Sequence, residues 1–185
     1  MRPSGHLHTT TIALAFLFSF LHNFSLFEGV LFLLGSLLLD GDFFVSKKIF
    51  KIVNHREFIT HSFLFYFGLI ILCLMSHIIL LWVFLGALYH LLFDLFDWGL
   101  PIIPFKHNTY FTPHLLKVPS NLEEVFFFKT YFSNKIISLA EIVFLVGFVL
   151  SLPLIPVDFI ILLLLIEILV LSEFTFQFRK IKTLN

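Results

Sequence analysis

The stretch IILLWVFLGALYHLLFDLFD, residues 78–97, decides the fold class. At 1.5 Å per residue it is about as long as the hydrocarbon core of a bilayer is thick, and it carries no formal charge before Asp94. A carboxylate inside an apolar helix costs roughly 2.5–3.5 kcal/mol near mid-membrane, less toward the end, unless something pairs with it. Asp94 also lies at the helix C-terminus, the negative end of the helix dipole, which disfavours a second negative charge. His90 stands four residues earlier, one turn back on the same face. This helix therefore makes two demands: lipid along its length and a cation near its end.

The rest of the chain repeats the first demand. Of 185 residues, 59% are hydrophobic and 13% charged, and the mean hydropathy is +1.01. Soluble domains run at about 45–50% apolar and about 25% charged, so this excess of apolar surface calls for lipid. Six apolar stretches are visible, at 9–22, 26–39, 59–76, 78–97, 136–152 and 155–173. The first two are short for a membrane span. No small-residue cleavage site follows the first stretch, which reads as a retained helix and not a signal peptide. A net charge of zero argues against nucleic acid as a partner, and the lone Cys73 has no intrachain disulfide partner.

The positive charges orient the spans. Arg2 precedes the first stretch; Lys47, Lys48, Lys51 and Arg56 follow the second; Lys106, Lys117, Lys129 and Lys135 follow the fourth; Arg179, Lys180 and Lys182 follow the sixth. With six spans, all 12 Lys and Arg fall on one side. The positive-inside rule makes that side the cytoplasm, so both termini are expected there and the protein in the plasma membrane as a multi-pass bundle. The fold class expected is all-α. A four-helix core that carries a metal site spans 1–105, a cytoplasmic loop spans 106–135, and a transmembrane hairpin with a basic tail spans 136–185. Within the 98–135 connection, SNLEEVFFFKTYF has Ser120 and Glu123 in capping-box spacing and suggests a short interfacial helix.

Folding the stretches as antiparallel hairpins shows which residues stand level. A first turn near residue 24 places His6 and His8 opposite Asp42 and Asp40 of LLLDGD. A second turn near residue 77 places His61 opposite Asp94, with His90 one turn away and His55 in the loop before His61. Ligand-type residues from four segments thus gather at the cytoplasmic end. Taken singly, Asp40 and Asp42 could be a helix stop and His90 a buried histidine bonded to a neighbouring helix. Taken together, imidazoles and carboxylates without thiolates suit zinc, manganese or iron better than magnesium or calcium, which prefer all-oxygen shells. The set is large enough for one ion or for two about 3.5–4 Å apart. A third hairpin places Glu141 and Glu167 level, as a structural anchor or at the edge of the same pocket; His22, His77, His107 and His114 have no level partner.

In order along the chain stand Gly5-His6, LLLDGD at 37–42, HREFITHS at 55–62, HLLFD at 90–94 and WGLPIIPF at 98–105. This ordered set resembles the YdjM-type family of membrane-bound metal-dependent hydrolases over about residues 5–105. The chain departs from that family's pattern in three places. The His55-to-His61 spacing is one residue longer, Leu39 replaces a proline, and Asp97 stands where a threonine is common. The resemblance implies metal ligands at His6, Asp40, Asp42, His55, His61, His90 and Asp94, with His8 as an alternative to His6. It places His61 at the entrance of the third helix, with Thr60 and Ser62 capping or orienting it. Arg56 is then the catalytic candidate, facing a phosphate or a developing oxyanion; it reads equally well as one more positive-inside charge. Ser62 has no visible base-and-orienter set to make it a nucleophile. A fainter likeness to helical zinc-dependent phospholipases C and nucleases favours phosphoesters, by analogy alone.

The expectation is an integral membrane hydrolase using metal-activated water, zinc first among the metals, on a phosphoester or lipid ester drawn from membrane lipid or cytoplasm. The alternative is a divalent-metal or proton-coupled transporter using the same cluster. Helices one to four oppose it, since beyond their cytoplasmic third they carry few ionisable groups, namely His22, Glu28 and His77 at the far end. A third reading is a non-catalytic membrane protein that binds a partner through the 98–135 loop.

Overall fold

The computed structural model describes residues 3–48, 59–76, 78–97, 100–101, 110–111 and 134–184. Among them the chain is helical apart from one two-residue antiparallel ladder, β1 (Leu100–Pro101) with β2 (Tyr110–Phe111). The six α-helices are α1 (Pro3–Phe20), α2 (Leu26–Lys48), α3 (Phe63–Ser76), α4 (Ile78–Asp97), α5 (Lys135–Ser151) and α6 (Val157–Leu184). A 3₁₀ turn at Ile59–His61 leads into α3, and another at Leu152–Leu154 joins α5 to α6. The interfacial helix expected at 120–132 lies outside the described residues.

Two helices are longer than their apolar stretches. α1 begins at Pro3, a residue suited to a first helical turn because its missing N–H has no intrahelical partner to lose, so His6 and His8 lie within the helix. α2 runs through LLLDGD to Lys48, so Asp40 and Asp42 stand on a continuing helix and not at its stop. Its 23 residues reach about 34 Å. It opens with a capping box in which Ser25 Oγ accepts from Glu28 N (3.2 Å) and Glu28 Oε2 accepts from Ser25 N (2.7 Å). The other oxygen of Glu28 accepts from Trp82 Nε1 at 2.8 Å, which pins the start of α2 to α4. Asn134 caps α5 through Ile136 N and Ile137 N.

α2 and α4 form the most extensive helix pair, α3 packs on α4, and α1 lies among α2, α4, α5 and α6. That central place explains why residues 5–11 of α1 are buried on every side of the helix. One core cluster joins Leu7, Leu14 and Ala15 of α1 with Phe32 and Leu33 of α2, Ile155, and Phe159 and Leu163 of α6, so the C-terminal hairpin shares a core with the first two helices. A second cluster (Leu39, Tyr66, Ala87 and Leu91) holds α2, α3 and α4 together.

Two glycines set the α2–α4 distance. A Cβ at Gly35 would lie 1.9 Å from the Val83 carbonyl oxygen, and one at Gly86 would lie 2.0 Å from the Phe32 oxygen. The two backbones touch at points where any side chain would hold them apart.

The outer faces are apolar. Leu64, Phe67 and Met75 of α3 and Leu139, Val149 and Leu150 of α5 are all exposed, with Met75 reaching 81%. The segment Lys135–Leu154 is long and apolar enough to cross a membrane, and shorter apolar helices run over Leu26–Leu39, Phe63–Met75 and Ile79–Leu95.

Candidate metal centre

Asp94, fully buried in the last turns of α4, is the hub. His6 from the first turns of α1 brings Nε2 to 3.2 Å from Asp94 Oδ1. His90, one turn back on α4, brings Nε2 to 3.4 Å from Oδ2, and His61, at the end of its 3₁₀ turn, brings Nε2 to 3.7 Å from the same oxygen. The side chains of His6, His61, His90 and Asp94 have no solvent exposure. The His6 and His90 rings stack with centroids 3.7 Å apart and planes 13° from parallel, while His61 meets His90 edge-on at 5.9 Å. Ligand atoms of His6, His90 and Asp94 all lie within 4.8 Å of one another, so this group could hold a metal ion.

The tautomer of His90 is determined by its surroundings. Its Nδ1 is 2.6 Å from the Ser36 carbonyl oxygen, and since a carbonyl only accepts, Nδ1–H donates. In neutral His90 the lone pair then sits on Nε2, directed at a carboxylate oxygen that also offers only lone pairs. Two such atoms at 3.4 Å do not hydrogen-bond to each other, and a proton or a cation between them would join them. A histidine whose second nitrogen donates to a backbone carbonyl is the usual support for a metal-ligating imidazole, since it orients the ring and raises its basicity. The α2–α4 contact makes the bond: Ser36 follows Gly35, and His90 lies one turn beyond Gly86.

His6 approaches one oxygen of Asp94 at 3.2 Å, while His90 at 3.4 Å and His61 at 3.7 Å approach the other. The group that could hold an ion, His6, His90 and Asp94, offers imidazole and carboxylate ligands without thiolates. His6 Nδ1 is buried and has no hydrogen-bond partner among the described residues.

The remaining polar groups of α1 serve the helix. Thr9 Oγ1 donates to the carbonyls of Gly5 and His6, Thr11 Oγ1 donates to that of Leu7, and Thr10 Oγ1 shares a hydrogen bond with Ser36 Oγ. Tyr89 donates to the Thr9 carbonyl at 2.8 Å and ties α4 to α1 one residue before His90.

Of the residues singled out in the sequence, the structure brings His6, His61, His90 and Asp94 together. Asp40 and Asp42 stand on α2 beyond Ser36, their side chains outside the described residues, and His55 and Arg56 lie outside them altogether. His6, not His8, faces Asp94. His8 turns to the other side of α1, where Nε2–H donates to Glu167 Oε1 at 3.1 Å and the ring packs against Phe148. His8 Nδ1 and Glu167 Oε2 have no hydrogen-bond partner among the described residues. Glu141 is buried on α5, two turns before Phe148. The role of the Ser36 carbonyl had no side-chain signature in the sequence; its only trace was a glycine in each of two apolar helices.

No family model, curated protein or solved structure matches the chain significantly, so its function rests on the chemistry of this centre.

Proposed function

We propose that this chain is an integral membrane, metal-dependent hydrolase of the YdjM type. In this reading it is a bundle of six spans with both termini cytoplasmic, acting on a phosphoester or lipid ester at the inner membrane surface. The observation that carries the proposal is the pairing of His90 Nε2 with Asp94 Oδ2, a lone pair facing a carboxylate, flanked by His6 and His61 in a site closed to solvent. The apolar outer faces of α3, α5 and α6 support the bilayer as solvent, because continuous exposed apolar surface of this kind marks a membrane or an interface.

In this reading His6, His61, His90 and Asp94 hold the ion, and the Ser36 carbonyl keeps His90 in its ligating tautomer. Asp40 and Asp42, on the α2 turns that follow Ser36, complete the ligand set or take a proton from the attacking water. Arg56, five residues before His61 in the sequence, neutralises the phosphate. The bound cation supplies Lewis-acid activation of water and of the scissile ester. Zinc is the first choice, with manganese or iron next.

The test is the protein purified in detergent, measured for bound metal and for phosphodiesterase and lipase turnover. Wild type is expected to hold one or two equivalents of metal and to turn over. His90→Ala and Asp94→Ala should lose both. Unchanged turnover in either variant would remove the reading, and zinc flux into liposomes without hydrolysis would replace it with a transporter.

A further inference from the structure

Beside the metal centre lies a cavity of about 210 Å³ between α2, α3 and α4. Its wall is apolar, formed by Leu38 and Leu39 of α2, Tyr66 of α3, and Phe84 and Ala87 of α4, with Gly35 at its floor. Its one threonine, Thr60, directly precedes His61, and Ala87 lies three residues before His90. The groove therefore neighbours the centre through Thr60 and Ala87, and its lining is apolar apart from Thr60 and the Tyr66 hydroxyl. Leu38 of its lining is 63% exposed, and Leu34 of α2 and Leu64 of α3, outside the lining, are exposed as well.

The geometry points to this groove as the seat of one acyl chain of a membrane lipid, entering sideways from the bilayer with its ester or phosphoester beside His61. The inference rests on the hydrolase reading for the centre and deepens it, narrowing the substrate class to lipids with an acyl chain. The volume falls below the about 300–1,000 Å³ typical of pockets that enclose a whole drug-sized ligand, and it suits one narrow chain. Wall chemistry agrees: hydrocarbon against Leu, Phe and Ala loses nothing on leaving the bilayer, whereas a sugar or a free phosphate would lose its hydration there. Charge agrees as well. α2 continues past Leu39 to Lys47 and Lys48, about 13 Å further along the helix by its rise.

The experiment uses the full chain in nanodiscs of phosphatidylcholine and phosphatidylglycerol, doped with a phosphatidylglycerol that carries a diazirine on one acyl chain. Crosslinked peptides are mapped by mass spectrometry. Labelling is expected to concentrate on residues 35–39, 60–66 and 83–87. Leu38→Trp at the exposed part of the lining should lower labelling within the groove by about tenfold. Ala87→Phe, which fills the groove from inside, should do the same, while Leu150→Trp on the outer face of α5 should leave it unchanged. Leu38 is exposed, so its variant tests the groove even if Ala87→Phe does not fold. Labelling spread evenly over the exposed faces of α3, α5 and α6, unchanged by Leu38→Trp, would mean annular lipid only and would overturn the inference. Turnover of a soluble phosphodiester is measured in parallel. Its absence with groove labelling intact would remove the catalytic reading and leave the lipid site, and turnover with even labelling would do the reverse.

Discussion

Asp94→Asn separates a metal centre from a polar plug with the least change in shape. The amide matches the carboxylate in volume, so packing is kept while the anionic group that faces His6, His61 and His90 among the described residues is removed. If a cation links these groups, wild type is stabilised by RT ln(1 + [L]/Kd), about 2.7 kcal/mol at one hundred times Kd. For a chain of this length 1 kcal/mol moves Tm by roughly 2–4 °C, so zinc should raise Tm by about 5–10 °C over the chelated protein. In Asp94→Asn a neutral oxygen replaces a charged ligand in a dry site; affinity should fall by at least about a hundredfold, and most of the zinc-dependent shift should vanish. The assay is thermal unfolding in detergent, with and without chelator across a zinc titration, joined to elemental analysis. A plug behaves otherwise. With no metal, Asp94 is held by hydrogen bonds from the imidazoles, His6 among them, and weakening these costs about 1–3 kcal/mol whether or not zinc is present. A variant that binds zinc as wild type does, or a wild type indifferent to zinc and chelator, would refute the reasoning.

The other expectations follow from the same geometry. His6→Ala should lose metal while His8→Ala keeps it, because the two side chains face opposite sides of α1; equal loss in both, by elemental analysis, would contradict the assignment. Glu167→Ala should destabilise by about 1–3 kcal/mol, from the partner it strips from His8, with metal stoichiometry unchanged; Glu167→Gln should recover most of that in thermal unfolding. Gly86→Ala should both lower Tm and weaken zinc binding, since its Cβ meets the Phe32 carbonyl at 2.0 Å and forces α2 away from the turn that carries His90. A Gly86→Ala protein with wild-type zinc affinity would show that the Ser36–His90 bond does not depend on this contact.

The sequence read well where the controlling physics is local or additive. Hydrophobic composition leads to the exposed apolar faces of α3, α5 and α6, and the helix limits in the C-terminal half, around Lys135–Ser151, follow from runs of apolar residues broken by Asn134 and by the Pro153–Pro156 turn. Level-matching about the second turn agrees with the structure, since a helix rises by a constant amount per residue: His61 meets Asp94. The Asp40 and Asp42 side chains, matched about the first turn, lie outside the described residues, and Glu167, matched to Glu141, meets His8. The sequence was a weaker guide at the N-terminus. The polar residues His6, His8, Thr9, Thr10 and Thr11 hid the start of α1, because polarity alone does not reveal that a helix is surrounded by four others.

By itself the sequence determined which residue types are present, how far along each helix they stand and how strongly the chain avoids water, since these depend on composition and on a fixed rise. Only the tertiary structure decided direction. His6 and His8 are two residues apart and so roughly 200° apart around α1; which of them meets Asp94 depends on where α4 and α6 pack. Likewise, a backbone carbonyl at Ser36 became the partner of His90 because two glycines let α2 and α4 touch, a contact between residues about fifty positions apart that no local pattern encodes.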